Sequence, residues 1–256
     1  MILKMLLLFQ FLMLVSLGKG FQNVNSKQVF TRLCSIKKSN FEKIYIAKSP
    51  GQIEYKKYLY DKNIDLIICN GPAGSGKTAL ACEYALESLH NKKFDKIVIT
   101  RPTKSLEEDL GFLPGDINNK MQPYTAPIYD IFQEYFSKNE IEYYIQNGII
   151  EVCPLGFVQG RTFKNTIIIA DEMQNSTPSQ MLMLLTRIGL GSKMIINGDL
   201  KQTKIQNNGL YDLKNKISIK YTDDSNRYEN GISLIKLKTE DIQRHKIIGK
   251  ILELYD

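Results

Sequence analysis

The sequence predicts an α/β fold, a doubly wound and mostly parallel sheet with helices on both faces. Three observations predict it. Short apolar runs of strand length recur at 64–69, 97–100, 149–153, 166–170, 194–196 and 232–237. Segments with helical spacing lie between several of these runs, and such alternation builds parallel sheets. A glycine-rich turn, Gly71 to Thr78, joins the first run directly to a helical stretch.

That turn reads Gly71-Pro72-Ala73-Gly74-Ser75-Gly76-Lys77-Thr78, the G-x-x-x-x-G-K-[ST] pattern of a phosphate-binding loop. Ile64 to Cys69 before it is a strand, and Ala79 to Leu89 after it, free of Gly and Pro, is a helix. Glycines let the backbone wrap a phosphate chain. Amides at the helix start then point at phosphate oxygens, helped by the helix dipole. In this chemistry Lys77 reaches the β- and γ-phosphates, and the Thr78 hydroxyl meets Mg²⁺.

Upstream, Ser49 to Gln52 reads as a turn and Ile53 to Tyr60 as a helix. Gln52 sits shortly before the first strand, where an amide could donate to N7 and accept from N6 of an adenine. The competing reading is a plain surface position. Ile97 to Thr100 is the next strand, stopped at Arg101-Pro102. Leu106 to Asp116 reads as a loop. Pro123 to Phe136 carries Tyr124, Ile128, Ile131, Phe132 and Tyr135 at helical spacing, a core stripe rather than a base-stacking platform.

Ile149 to Cys153 is a strand, followed by a polar loop from Gly156 to Arg161. Thr166 to Ala170 is a wholly apolar strand that runs into Asp171-Glu172. That placement suits Asp171 to hold Mg²⁺ through water, and Glu172 to act as general base on the attacking water. Thr177 and Pro178 cap and start a helix with Met181, Leu182, Leu184 and Leu185 inward, ending at Gly189. The strand Met194 to Ile196 ends at Gly198-Asp199, with Gln202 placed to sense a γ-phosphate. Ile232 to Leu237 is the last strand and Asp241 to Tyr255 the last helix.

Composition bounds the rest. The 256 residues suffice for one large domain, and 43% hydrophobic content supports a core. The net charge is +7, or +5 without a leader containing Lys4 and Lys19. Such a balance permits a polyanionic partner without requiring one. The four cysteines are scattered and there are two histidines, which argues against a zinc site. Cys69 and Cys82 fall in apolar patterns and read as core thiols. Met5 to Leu17 is almost entirely apolar and too short for a comfortable membrane span. With the basic, acid-poor stretch behind it, the layout is that of a signal or plastid-type transit segment. A hydrophobic helix of the fold or a misplaced start are the alternatives. Residues 1–40 are therefore read as a targeting segment and 41–256 as the folded domain.

Five stretches resemble the PhoH family: GPAGSGKT at 71–78; RP at 101–102 with GFLPGD at 111–116; PLGFVQGRT at 154–162; IIIADEMQNSTPSQMLMLLTRIGLGSKMIINGD at 167–199; and DIQRHKIIGKIL at 241–252. The resemblance covers about residues 47–256. It implies an ATP-binding core like one RecA-type domain of superfamily 1 helicases, with Asp171 and Glu172 as Walker B and Gly198, Asp199 and Gln202 as the next helicase motif. Asn197 stands where many relatives carry Thr, Lys246 where many carry Pro, and the segment after Gln202 is short.

The expected activity is a Mg²⁺-dependent ATPase, coupled to RNA, with no nuclease domain and no second RecA-like domain. A cytoplasmic location follows from the resemblance, against the leader. The missing second domain leaves an arginine finger to be supplied by a neighbouring copy in a ring, a hexamer by expectation, with Arg244 favoured over Arg161 and Arg187. The rival reading is a nucleotide-gated assembly module with little turnover. A P-loop kinase is disfavoured because Glu172-Met173-Gln174 after the Asp171 strand looks helicase-like and no lid pattern is visible.

Overall fold

The apolar runs form six strands: β1 (Leu66–Asn70), β2 (Lys96–Arg101), β3 (Ile150–Pro154), β4 (Thr166–Ala170), β5 (Lys193–Gly198) and β6 (Ile232–Lys236). They make one sheet in the order β3-β2-β4-β5-β1-β6, and every pairing is parallel. The structure, a computed structural model, describes residues 45–102, 126–203 and 205–243. Every residue of β4 and β5 is buried, which is why these runs are continuously apolar rather than alternating.

Helices cover both faces. On one face Ile68, Val98, Ile168 and Ile196 pack with Met181, Leu184, Leu210 and Leu213. The last four belong to α5 (Pro178–Leu185) and α6 (Gly209–Lys220). Side chains alternate along a strand, so Ile67, Ile97, Ile167 and Ile195 face the other way. There lie α1 (Pro50–Tyr60) and α2 (Lys77–His90), with Tyr55 of α1 donating its hydroxyl to Asn197 Oδ1 on β5 at 3.0 Å. The buried Lys193 Nζ ties α1 to β5 as well, donating to the carbonyls of Leu59 and Asp61 at 2.9 and 2.6 Å. The doubly wound α/β fold is as the sequence predicts.

Local signals explain where elements begin. Ser49 caps α1, accepting from the Gln52 amide at 3.3 Å, with Pro50 in the first turn. The stretch read as a turn from Ser49 to Gln52 is therefore the start of that helix. α3 (126–133) buries Ile128 and Phe132 as core. α4 (Lys138–Gln146) was not foreseen, although Ser137 and Glu140 form a capping box that marks it in the sequence. The same holds for α6, capped by Asn208, which accepts from the Tyr211 amide at 2.9 Å.

α5 has the Thr177 cap and Pro178 start that were expected, but it stops at Leu185 rather than Gly189. Leu182 is 64% exposed, not inward, because in an eight-residue helix it falls opposite Met181 and Leu184. α7 (Asp224–Glu229) follows α6. Single 3₁₀ turns occupy Leu155–Val158, Met173–Asn175 and Thr239–Asp241. The leader at 1–40, the loop at 106–116, the first residues of the 123–136 helix, and the 244–255 part of the last helix lie outside the described residues. No helix among the described residues is long and apolar enough to cross a membrane.

Candidate functional site

Because all six strands are parallel, their C-terminal ends share one edge of the sheet. The loop after β1, Arg101 ending β2, Asp171 after β4, and Gly198-Asp199 at the end of β5 all emerge there. In open α/β sheets ligands bind outside this edge. Gly71 N–H donates to Gly198 O at 3.1 Å and Leu200 N–H to Asn70 Oδ1 at 3.0 Å, which anchors the β1 and β5 loops to each other.

The glycine-rich loop is closed on itself. Ser75 is fully buried, its hydroxyl donating to Pro72 O at 2.8 Å. Gly76 caps α2 at φ 87°, a left-handed conformation that favours glycine. Gly71 has no room for a Cβ, which would stand 2.6 Å from Leu237 Cβ. Lys77 Nζ donates to the carbonyls of Gly71 and Pro72 at 2.6 and 2.9 Å. The lysine thus curls over its own loop, above the open end of α2.

A cavity of about 740 Å³ opens over this loop. Ala73, Gly74, Gly76, Lys77 and Thr78 form its floor, Arg101 and Glu172 one wall, and Gln52 and Gln243 another. Its size suits a nucleotide. Thr78 Oγ1 donates to Asp171 Oδ1 at 3.0 Å, although their strands are separated by β5. Asp171 is 1% exposed. These two hard oxygens, together with phosphate oxygens and water, are the donor set that Mg²⁺ takes in nucleotide sites, so the residues fit the ion. Among the described residues no group of three or more His, Cys, Asp or Glu could hold a metal unaided.

Glu172 has φ 58°, unusual for a residue with a side chain. This backbone turn sets it in the cavity wall while Asp171 points inward. Its Oε2 accepts from Gln174 Nε2 at 2.6 Å. Gln174 is buried and accepts from the Asp199 amide at 3.0 Å, so one side chain links the ends of β4 and β5. Gly198 leaves space for it, since a Cβ there would lie 2.8 Å from Gln174 Oε1. Sequence reasoning assigned Gln174 no role. Its place in Glu172-Met173-Gln174 marks the stretch as helicase-like, but the link to Asp199 is tertiary.

Arg101 was also passed over. Its Nε and Nη2 reach Asp171 Oδ2 at 3.1 and 2.6 Å. The signal was a charged residue ending a buried strand on the site edge. Gln52 is brought to the cavity, but its amide is occupied. Nε2 donates to Ser75 O and to Asp241 O, both at 3.0 Å, and Oε1 accepts from the Lys48 amide at 3.0 Å. An adenine could use only what that leaves of Oε1, unless those bonds break. Gln202 is exposed and does not line the cavity; its amide donates to Asp199 O. Arg244 lies outside the described residues. Its neighbour Gln243 donates its amide to Gly74 O at 3.3 Å.

The other finger candidates are engaged. Arg161 pairs with Glu151 through both oxygens, and Arg187, two residues past the end of α5, donates to Met183 O at 3.0 Å. Cys69, Cys82 and Cys153 are free and buried as core thiols. Burial pushes the Cys69 and Cys82 thiols well above the ordinary range, and Cys153 up to about 12.

The chain is 41% identical over 209 residues to the PhoH-like protein of Bacillus subtilis (strain 168), covering 82% of this chain and 63% of that one. It is 35% identical over 214 residues to Protein PhoH of Escherichia coli (strain K12), covering 82% and 58%. The chain thus spans about three fifths of the length of these relatives. Among solved structures, a Pif1 helicase from Candida albicans is similar at 14% identity and a TM-score of 0.36, over 83% of this chain and 45% of that one, too distant to bear on function. The family model for PhoH-like protein matches residues 45–256, the whole span that carries the phosphate loop, the Asp171-Glu172 strand end and the Gly198-Asp199 turn, and the chain therefore belongs to the PhoH-like family.

Proposed function

We propose that this chain is a Mg²⁺-dependent ATPase of the PhoH type whose turnover is coupled to RNA. The observation that carries the reading is the meeting of Lys77, Thr78 and Glu172 around one cavity at a single sheet edge, with Asp171 buried behind it and bonded to Thr78. Lys77 and the loop amides would bind phosphates, Thr78 and Asp171 would hold the metal, and Glu172 would take the proton of the attacking water. Mg²⁺ in such a site supplies positive charge against the phosphate oxygens. Gln202 would sense the γ-phosphate after moving in from the surface. Gln52 would face the adenine.

RNA is proposed as partner on the resemblance of the motifs to helicase-type ATPases; the charge balance permits it, at +7 for the whole chain and +1 without residues 1–40. The finger arginine is assigned to Arg244, delivered by a neighbouring copy in a head-to-tail ring, a hexamer, where it would meet the charge developing on the γ-phosphate. Residues 1–40 are assigned as a removable targeting segment.

The alternative is a nucleotide-gated module with little turnover. One observation favours it: Lys77 and Asp171 are both satisfied by protein groups, which makes a stable resting state. Phosphate release by the 256-residue chain, with and without RNA, alongside nucleotide binding, separates the two. RNA-stimulated release that disappears in Lys77→Ala supports the ATPase. Tight nucleotide binding with no release supports the module.

A further inference from the structure

The ion pair between Arg101 and Asp171 stands inside the proposed metal site. Asp171 has 2% of its side chain exposed, and both its oxygens are taken: Oδ1 by the Thr78 hydroxyl, Oδ2 by Arg101 Nε and Nη2. A carboxylate this deep needs a counter-charge whenever metal is absent, because an uncompensated buried charge is costly. Arg101 supplies it. The backbones of the two residues are fixed beside each other, with Thr100 paired to Ala170 and Asp171 N–H donating to Thr100 O at 2.9 Å. What can yield is the guanidinium. Its side chain is 17% exposed and lines the same cavity as Lys77 and Gly74.

Resting on the reading of Thr78 and Asp171 as metal ligands, we propose that Arg101 is the exchangeable counter-cation of this site: it neutralises Asp171 until metal and nucleotide bind, then turns its guanidinium to the phosphates. The charges direct the exchange. Carboxylate and guanidinium cancel, so a dication alone meets no net negative charge. A nucleotide brings several negative charges, which draw the metal to Asp171 and offer Arg101 a bidentate phosphate partner in place of the carboxylate. Lys77 is poised in the same way, held on the carbonyls of Gly71 and Pro72. Arg101 is thereby a positioning residue for the metal ligand and a binding residue for the phosphates.

The test is the affinity of the 256-residue chain for N-methylanthraniloyl-labelled ADP, by fluorescence anisotropy, in Mg²⁺ and in chelator. In Arg101→Gln the buried Asp171 carboxylate is left uncompensated and repels the nucleotide, so affinity in chelator should fall about tenfold to a hundredfold. Affinity in Mg²⁺ should fall by at most a third of that factor. A purely structural arginine would lower both equally, and that result overturns the proposal. Asp171→Asn gives a second reading if the first variant does not fold. Without its carboxylate rival, Arg101 should raise affinity in chelator about tenfold, and Mg²⁺ should add nothing further. A fall in chelator affinity in that variant also overturns the exchange. Wild-type chain that binds no labelled ADP in either buffer would instead remove the underlying nucleotide-site reading.

Discussion

Lys77 donates to two carbonyls of its own loop, and any phosphate above the loop would compete for the same protons. Lys77→Ala should therefore lower phosphate release by on the order of 10² to 10³, measured by a coupled phosphate assay. Glu172 calls for a different outcome. Its carboxylate lines the cavity and is steadied by Gln174. Glu172→Gln should slow hydrolysis by about 10² to 10⁴ while ATP stays bound. If the variant releases phosphate at the wild-type rate, the base is another group. Gln52 separates two roles at one position. Its bonds to Ser75, Asp241 and Lys48 predict that Gln52→Ala costs about 1–3 kcal/mol of stability, read by denaturant unfolding. The ATP-over-GTP preference tests the adenine role: it falls in this variant if the amide reads the base and is unchanged if the amide only braces the loop.

At the scale of elements, the edge of the sheet carries a titratable staple. Glu151 on β3 accepts from Arg161 at 2.5 and 2.7 Å and from Lys96 of β2 at 2.7 Å. The Arg161 hydrogen bonds are the main cause that lowers its carboxyl from 4.5 to about 2, with Lys96 adding and burial opposing. A depressed acid stabilises the fold above its unfolded pKa. As pH falls from 4.5 towards 2 the unfolded chain takes up the proton first, so this stability is lost across that window. Wild type should be more stable than Glu151→Gln near neutrality, by at most about 3 kcal/mol. The difference in Tm should vanish by about pH 2. A gap that persists there would assign the staple to packing rather than charge.

The whole molecule bears on partners. The 256-residue chain, at net charge +7 and with no Trp, favours contacts to phosphates over stacked bases, whereas residues 41–256 alone carry only +1. RNA affinity should then fall steeply between low and physiological salt, roughly 10³-fold or more if six phosphates are neutralised, by filter binding. Salt-independent binding would place the contacts on the bases. Assembly has its own test. Arg244→Ala and Lys77→Ala chains, each inactive alone, should regain partial activity when mixed, because a mixed interface can pair an intact loop with an intact finger. A fully active monomer by sedimentation would end the ring proposal. Failure to complement in a proven oligomer would move the finger to another arginine.

The sequence by itself determined the strands, the phosphate loop and the helix start at Thr177, because each is written in contiguous residues whose backbone needs are local. Gly76 must turn left-handed, Pro178 must begin a helix, and Thr166 to Ala170 must be buried on both faces. The same local logic, carried further, would have found α4 and α6 from Ser137-x-x-Glu140 and from Asn208 before Leu210, Leu213 and Ile217. Only the tertiary structure decided what closes the site. Sheet order places β5 between β1 and β4, so Thr78 meets Asp171 across a strand that neither follows. Arg101 reaches Asp171 over 70 residues, and Gln52 reaches Asp241 over 189. Those contacts depend on which strand ends share an edge and on which buried polar atoms lack water, and chain spacing encodes neither.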